Sequence, residues 1–294
     1  MRRYAEIISL IIAEVCMVSL VSLVFLNFPW ADMNANNSES ADAQAQTSFA
    51  TTASWKQDFS KSPNGPLDTK IWNFDQGNNN GWGNNELESY TSDPANASIQ
   101  NGALVINALK NNGSYTSARI TTKNKFDFIY GKINVVAQLP TGQGVWPAIW
   151  LLPTDTKYTS NTNPNTDWLS NGELDIAEGS SQGDNSFSAS AHSINHYGGH
   201  NERTGTVTVN SPATTLHTYS LEWTPQSLDF LVDGKVFEHV ANSGAGFQDW
   251  PYDQRYHLIL NLALGGDNGS NLSDGALPAQ MKVRLISYYP YVGK

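Results

Sequence analysis

Three acidic residues, Glu173, Asp175 and Glu178, alternate with apolar residues between two glycines. On a β-strand, Glu173 and Asp175 point to one face, while the apolar residues between them point into a core. Glu178 lies five positions after Glu173, so a regular strand would turn it to the opposite face. One extra residue, a β-bulge near positions 176–177, would bring all three carboxylates to one face. The alternative is an edge strand with a solvated acidic face, but buried carboxylates cost free energy and suggest a functional site.

Two glutamates that face one groove are what glycoside hydrolysis with retention of configuration requires. One carboxylate attacks the anomeric carbon, and the other protonates the leaving oxygen and then activates water; the two groups lie roughly 5–5.5 Å apart. A flat strand would separate the backbones of Glu173 and Glu178 by roughly 13 Å, so we expect the sheet to curve here. Like charges held together raise the pKa of at least one carboxyl, which allows one glutamate to stay protonated beside an ionised neighbour.

The composition favours an all-β fold and a neutral partner. The 294 residues include nine Trp, twelve Tyr and 23 Gly, which suits many short strands joined by Gly, Asn and Asp turns. The net charge of −10 argues against nucleic acid and against heavily sulfated polysaccharide, whereas a neutral glycan is compatible. The single cysteine, Cys16, lies in an apolar leader, so we expect neither a disulfide nor a cysteine metal site in the folded part.

The amino terminus carries a hydrophobic segment. Arg2 and Arg3 precede an apolar run at residues 7–28, which as a helix spans ~33 Å, the thickness of a bilayer core. We predict that residues 1–31 are either a signal peptide or an N-terminal membrane anchor. We also predict a flexible polar linker at 32–52 and the folded domain at 53–294. In both cases the domain lies outside the cell, secreted or anchored to the outer face of the membrane.

A glycine-rich segment, residues 75–86, has the side chains for sugar binding. Trp82 offers a flat ring for a pyranose face, and Asn84 and Asn85 offer amides for hydroxyl groups. The alternative is a polar turn with Trp82 packed beneath it. The segment has the length of an EF-hand loop, but Asn80 stands where the invariant glycine belongs and no helices flank it, so we do not predict calcium there.

Trp146 and Trp150 lie four residues apart and share one face of a predicted strand. They are either a stacking platform or two core residues. Histidines at 192, 196 and 200 have the spacing of a zinc site on a helix, but Gly198 and Gly199 argue against a helix, and we predict no metal.

Together these motifs resemble glycoside hydrolase family 16, specifically its bacterial laminarinase-like β-1,3-glucanase branch. The resemblance rests on seven segments that occur in order: 81–86, 117–122, 146–153, 173–178, 217–225, 230–234 and 258–266. It implies a β-jelly-roll of two curved antiparallel sheets with a concave substrate cleft. It also implies that Glu173 is the nucleophile, that Glu178 is the acid/base, and that Asp175 tunes the charge and orientation of Glu173.

The resemblance implies further cleft residues. His192 is expected beside the carboxylates, hydrogen bonded near Asp175, and Trp168 is a candidate cleft wall. Gln254 and Asn261 are expected to complete the sugar contacts. His196 and His200 are expected in a loop.

The chain departs from the family pattern at three positions. Asn134 and Val136 stand where relatives usually carry glutamate and arginine that reach cleft sugars on the non-reducing side, so subsite preference is expected to differ. Arg284 stands where the family usually has an aspartate that ligates a structural calcium. Because a guanidinium cannot ligate a cation, we expect no calcium there and no other cofactor.

The sequence therefore predicts a retaining, endo-acting β-glucan hydrolase for β-1,3-glucan of the laminarin type. Mixed-linkage β-glucan and wall-glycan transglycosylation remain alternatives. A non-enzymatic glycan-binding module is a further alternative, but such a module should lack one of the two glutamates. We expect a monomer whose partner is a neutral β-glucan polysaccharide.

Overall fold

The structure is a computed structural model that describes residues 48–159, 168–267 and 271–293. The strands in chain order are β1 (Trp55–Asp58), β2 (Asn73–Asp75), β3 (Ser89–Tyr90), β4 (Ala97–Gln100), β5 (Ala103–Asn111), β6 (Ser114–Ser117), β7 (Arg119–Thr121), β8 (Asp127–Phe128), β9 (Gly131–Gln138), β10 (Val145–Pro153), β11 (Glu173–Gly179), β12 (Ser186–His192), β13 (Thr204–Thr208), β14 (His217–Trp223), β15 (Ser227–Val232), β16 (Lys235–Ala241), β17 (Tyr256–Leu264) and β18 (Ala279–Tyr289). Short 3₁₀ turns occur at Phe59–Lys61, Gly81–Gly83 and Asp274–Ala276.

The strands form two sheets that pack face to face. One sheet has the order β13-β12-β11-β10-β17-β7-β2, with β8 paired to β17. The other has the order β16-β15-β14-β9-β18-β5-β6-β3, with β1 paired to β18 and β4 to β5. All of these pairs are antiparallel except the short parallel pair of β3 and β6. The predicted all-β sandwich of two antiparallel sheets is confirmed.

Alternating side chains from both sheets fill the space between them. Leu174 and Ile176 on β11 and Leu260 on β17 are fully buried there, opposite Val135 on β9 and Leu221 on β14. Because side chains alternate along a strand, the residues between these core positions point out of the sandwich. We call the outward surface of the eight-stranded sheet the site face, and that of the ten-stranded sheet the outer face.

Strand β11 contains the predicted bulge. Asp175 pairs with Ser190 on β12 and Glu178 pairs with Ser188, so two residues of β11 lie opposite one residue of β12. The pairing with β10 shifts at the same place. Ile176 and Ala177 are both buried in the core, and the extra residue returns Glu178 to the site face.

Two positions expected in the cleft are on the other sheet. Asn134 and Val136 lie on β9, which pairs with β14 and β18 in the ten-stranded sheet. Their neighbours Ile133 and Val135 are core residues, so Asn134 and Val136 belong to the outer face. The expectation that these two positions change subsite preference from within the cleft is therefore wrong. Period-two alternation shows which residues share a face but not to which sheet a strand belongs.

The described residues all belong to one unit, Gln46–Lys294. Within the described residues, Ser48 and Phe49 already pair with Val292 and Tyr291, a few residues before the predicted domain start at 53. In the part of the chain that the structure describes, no helix has the length and apolar character needed to span a membrane. The predicted leader, residues 1–31, lies outside the described residues.

Candidate active site

Two rows of paired residues cross the site face from strand to strand. The first row includes Glu178. The second row, which is the neighbouring row on the same face, includes Asp175. In order across the sheet, the first row is Ser188, Glu178, Ala148, Asn261, Arg119 and Asp75, and the second is Ser190, Asp175, Trp150, Ile259 and Thr121. The bulge therefore aligns one predicted catalytic glutamate with the polar residues that line the centre of the sheet.

A small cavity of about 50 Å³ opens on this face between the three acids and the aromatic side chains. Its lining residues are Asn84, Glu86, Arg119, Trp146, Ala148, Trp150, Glu173, Asp175, Glu178, Asn261 and Ala263. The structure thus brings together all three predicted catalytic residues and four of the predicted sugar contacts.

Glu178 is oriented by two neighbouring strands. The indole Nε1 of Trp146 donates a hydrogen bond to its Oε1 at 2.9 Å, and the Ser188 hydroxyl donates to its Oε2 at 3.4 Å. Trp146 lies two residues before Ala148, the direct strand partner of Glu178. Trp146 is therefore a site residue and not part of the core between the sheets.

His192 is hydrogen bonded to Asp175, as predicted. Its Nε2 lies 3.0 Å from Asp175 Oδ2, and the register of β11 and β12 places His192 directly opposite Glu173. Burial alone would lower the pKa of His192, but the hydrogen bond and charge of Asp175 outweigh it and raise that pKa to about 9. At neutral pH, His192 is therefore a cation beside the acids.

Both glutamates hold a proton more tightly than an exposed glutamate does. Burial, followed by the negative charge of Asp175, raises the pKa of Glu178 to about 7. Burial and then Asp175 also raise the pKa of Glu173 well above its usual value, while the positive charge of His192 opposes this shift. The charge of His192 lowers the pKa of both glutamates, and their charges raise the pKa of His192.

A tryptophan–arginine–tryptophan stack lies beside the acids. The guanidinium carbon of Arg119 is 4.9 Å from the ring centre of Trp82 and 4.7 Å from that of Trp150. Arg119 also forms an ion pair with Asp75, at 3.0 Å from Nε to Oδ2. Trp82 is half-buried and donates from its own Nε1 to the Gly77 carbonyl, so the glycine-rich segment packs its ring towards Arg119.

A chain of hydrogen bonds runs behind Trp150. Trp150 Nε1 donates to Asn261 Oδ1 at 2.7 Å, and Asn261 Nδ2 donates to the Tyr90 hydroxyl at 3.1 Å. The Tyr90 hydroxyl donates to Glu86 Oε2 at 2.7 Å, and Asn84 Nδ2 donates to Glu86 Oε1 at 3.1 Å. Asn84 and Asn261 therefore both lie at the small cavity, and their contact with sugar stays a prediction.

Sequence reasoning assigned no role to Arg119, Glu86, Glu88 or Tyr90. A signal was present for the last three, since Glu86, Glu88 and Tyr90 occupy alternate positions and share one face of an extended segment. All three are buried in the structure.

Trp168 lies at a larger cavity of about 280 Å³ that extends along the site face from Arg119. Its ring is 36% exposed and meets Tyr197 edge to face at 5.2 Å, and both rings contact His192. Trp168 thus lies at the wall next to Glu173 and His192. Tyr197 is an additional exposed ring there that sequence reasoning did not identify.

Three of the remaining predicted residues are engaged elsewhere. Gln254 is buried, and its amide bonds to the backbone of Asn171, Pro251 and Lys157, so it supports the neighbouring loop instead of lining the small cavity. Asn85 is exposed and donates to Asp267. His196 lies in the loop after β12, as expected, and bonds to Asp249.

Three side chains on the site face have the spacing to hold a metal ion. Ligand atoms of Glu173, Asp175 and His192 lie within 4.8 Å of one another. A metal ion there would occupy the carboxylates, and the expectation of a metal-free site stays a prediction.

On the outer face, Arg284 Nη1 donates to the Gly102 carbonyl at 2.7 Å, beside Lys282. Of the described residues that line that groove, two are cations and none carries a carboxylate, so they do not fit a calcium ion.

A β-sandwich whose one face carries clustered acids with raised pKa values beside aromatic rings has the features of a glycoside hydrolase. Residues 82–281 match the family described as glycosyl hydrolases family 16. A β-glucanase from Rhodothermus marinus is 36% identical over 251 residues, 81% of this chain and 85% of that protein. A glucan endo-1,3-β-glucosidase from Niallia circulans is 33% identical over 273 residues, 80% of this chain and 37% of that protein.

Solved structures agree with the sequence comparisons. The X-ray structure of the laminarinase from Rhodothermus marinus superposes with a TM-score of 0.75 at 34% identity, and the match covers 83% of this chain and 98% of that one. The chain belongs to glycosyl hydrolase family 16, and the resemblance stated from its motifs is confirmed.

Proposed function

We propose that this protein is an endo-acting β-glucan hydrolase that cleaves β-1,3-linked glucan with retention of configuration. The observation that carries the proposal is the β11 bulge, which turns Glu178 to the same face as Glu173 and Asp175. The family membership of the chain and the activities of its relatives, a β-glucanase, an endo-1,3-β-glucosidase and a laminarinase, support the same substrate class.

The mechanism assigns a different role to each glutamate. Glu173 attacks the anomeric carbon, and Glu178 gives its proton to the leaving oxygen, so that a covalent glycosyl-enzyme forms. Glu178 then removes a proton from water, which attacks the same carbon and releases Glu173. With a pKa of about 7, Glu178 is an effective acid and base near neutral pH.

Asp175 and His192 prepare Glu173 for attack. Burial favours protonated Glu173, but a nucleophile must be ionised. His192 supplies a positive charge directly opposite on β12, and Asp175 holds the ring in place through its bond to Nε2. The positive charge of His192 therefore offsets part of the free-energy cost of ionising Glu173 beside Asp175 and Glu178.

The substrate is bound through aromatic faces and amides. Trp146, Trp150 and Trp168 offer ring surfaces along the site face, and Asn84 and Asn261 offer amide groups. Sugar rings stack on such faces without needing a charge on the substrate, which suits a neutral glucan in a chain of net charge −10.

The test is hydrolysis of a panel consisting of laminarin, lichenan, agarose and carrageenan, with product linkages determined. We expect reducing ends from laminarin first, and the first-formed product should have the β-configuration by proton NMR. A first-formed α-anomer would contradict the retaining mechanism. Products longer than the substrate would indicate transglycosylation, faster cleavage of lichenan would indicate a mixed-linkage enzyme, and binding without cleavage would indicate a glycan-binding module.

We also propose that the protein acts outside the cell, secreted or held at the outer face of the membrane by residues 1–31. The support is the arginine-led apolar run at 7–28. Fractionation of cells that express the full chain and a chain without residues 1–31 tests this. Retention of both forms in the cytoplasm would contradict it.

A further inference from the structure

Two buried carboxyl groups lie side by side at the end of the hydrogen-bond chain behind Trp150. Glu88 is fully buried and Glu86 is 6% exposed, and their carboxyl groups lie within hydrogen-bonding reach of each other, so that a bond between them needs a proton on one of the two. The Glu88 carboxyl accepts from the Leu264 backbone N–H through Oε2, at 2.7 Å. Two ionised carboxylates cannot share such a place without a compensating charge.

Among the residues that the structure describes, few charged or titratable groups surround the pair. Glu86 and Tyr90 face Glu88 from its own segment, and strand β17 contributes the backbone of Leu264 and the amide of Asn261. The cation that acts on this cluster is Arg119, through Tyr90, and its guanidinium is already paired with Asp75. Glu178 lines the same small cavity as Glu86. One proton on the pair is therefore the simplest way to remove the excess negative charge.

The direction of the hydrogen bonds shows which carboxyl holds that proton. An indole N–H can only donate, so Trp150 fixes the Asn261 carbonyl as acceptor and leaves the Asn261 amide to donate to Tyr90. The Tyr90 hydroxyl, which lies beside both carboxyl groups, gives its hydrogen to Glu86 at 2.7 Å. Because Glu86 accepts from Tyr90 on one oxygen and from Asn84 on the other, it has the pattern of an ionised carboxylate.

Glu88 has the complementary pattern. Its Oε2 is occupied by the Leu264 N–H, and its Oε1 is buried without a hydrogen-bond donor among the described residues. A proton on Glu88 turns this unsatisfied acceptor into a donor to Glu86.

We infer that Glu88 is a carboxylic acid that shares its proton with Glu86, and that this acid pair is a positioning device for Asn84, Asn261 and Trp150 in the cleft. The inference rests on the proposed function, because the positioned residues are its sugar contacts. Among the described residues, the hydrogen bonds of Asn261 and Trp150 do not reach Glu88 directly. Glu88 acts on them through Glu86 and Tyr90.

Loss of the proton disturbs this arrangement at alkaline pH. Burial, and then the adjoining Glu86, raises the pKa of Glu88 to about 8. In the unfolded chain a glutamate ionises near its usual 4.5, so between these two values the folded protein binds one more proton than the unfolded protein. The contribution of Glu88 to the free energy of unfolding is fully present below pH 4.5. It declines as the pH rises, until Glu88 ionises near pH 8 in the folded protein.

The test compares two isosteric variants, Glu88→Gln and Glu86→Gln. Glutamine at 88 can still accept from Leu264 and donate to residue 86 at every pH, so the fall in Tm between pH 6 and pH 9 should be smaller than in the parent protein. Glutamine at 86 cannot accept on both sides, so kcat/KM at pH 6 should fall at least ~10-fold further than in Glu88→Gln, as expected for the loss of a buried hydrogen bond.

A split between KM and kcat separates positioning from a merely structural role. Above pH 8 the KM for laminarin should rise in the parent protein and stay flatter in Glu88→Gln, while the alkaline loss of kcat, set by Glu178, occurs in both. The proposal would be overturned if Tm and KM depended on pH in the same way in the parent protein and in Glu88→Gln. It would also be overturned if Glu86→Gln and Glu88→Gln lowered kcat/KM equally at pH 6. The Tm measurements need no turnover, so they still test proton sharing if the protein proves not to hydrolyse glucan.

Discussion

The two outward faces of the sandwich are built by the same alternation of side chains but hold very different residues. The site face gathers Glu173, Asp175 and Glu178 with His192, in a setting where burial and mutual repulsion raise the pKa values of both glutamates. The outer face has Lys132 paired with Glu222 at 2.7 Å, and cations such as Arg284 that bond to the backbone.

The difference follows from one irregularity. A regular β11 would send Glu178 into the core, where Ile176 and Ala177 now lie, and its carboxylate would be buried without partners. The bulge removes that cost and concentrates the acids on one face. Charge on the outer face is instead neutralised by local pairs, as on an ordinary protein surface.

The largest expected effect comes from removing either glutamate. Glu173→Gln and Glu178→Gln should each lower kcat on laminarin by at least ~10³-fold, because nucleophilic attack and acid–base assistance are each lost. Azide should rescue the two variants differently. Glu173→Gln should give the α-glycosyl azide by direct attack, and Glu178→Gln should give the β-azide from the glycosyl-enzyme.

The outer-face pair offers a matched control. Glu222→Gln removes a half-buried carboxylate from the other sheet and should keep kcat within about twofold, as for a surface ion pair. A loss comparable with that of Glu178→Gln would mean that the two faces are not functionally distinct. Exchange of the two azide products would reverse the assigned roles of the glutamates.

The second prediction concerns the pH at which activity is lost. Glu178 must be protonated to act as the acid, so kcat/KM should decline as pH rises through about 7. The Trp146 N–H stabilises the ionised form, so Trp146→Phe should raise the pKa of Glu178 and move this decline to higher pH. Trp150→Phe is the control, because its N–H bonds to Asn261. An equal movement in both variants would contradict a specific role for Trp146.

The motif around β11 was sufficient to predict the bulge, the shared face of the acids and the neighbouring His192. These features depend on the alternation of side chains along one strand and on the pairing of strands that are close in the chain. The Glu86–Tyr90–Asn261 chain could not be predicted in the same way, because it joins residues up to 171 positions apart whose register is set by the whole sheet. Gln254 shows the same limit, since only the fold reveals that its amide is occupied by a loop.

The third prediction tests which sheet position 136 belongs to. Val136→Ala removes two methyl groups from the outer face and should leave the KM for laminarin within about twofold of the parent value, with a Tm loss of a few degrees. Trp168→Ala, which removes a ring from the site face, should raise KM by ~10-fold, the scale of one stacked ring. A KM change at 136 that matches the change at 168 would place β9 in the cleft after all.

The smallest effects are expected at Arg284. Because two cations line this groove and no carboxylate does, adding calcium should change Tm by less than about 1 °C, and adding EDTA should leave kcat unchanged. Arg284→Ala should lower Tm by ~2–4 °C through loss of the bond to Gly102. Arg284→Asp is a stronger test, because it places a carboxylate where the guanidinium now bonds to the Gly102 carbonyl. If calcium then raised Tm in this variant alone, the guanidinium would be identified as the replacement for a bound cation, whereas stabilisation of the parent protein by calcium would contradict the prediction.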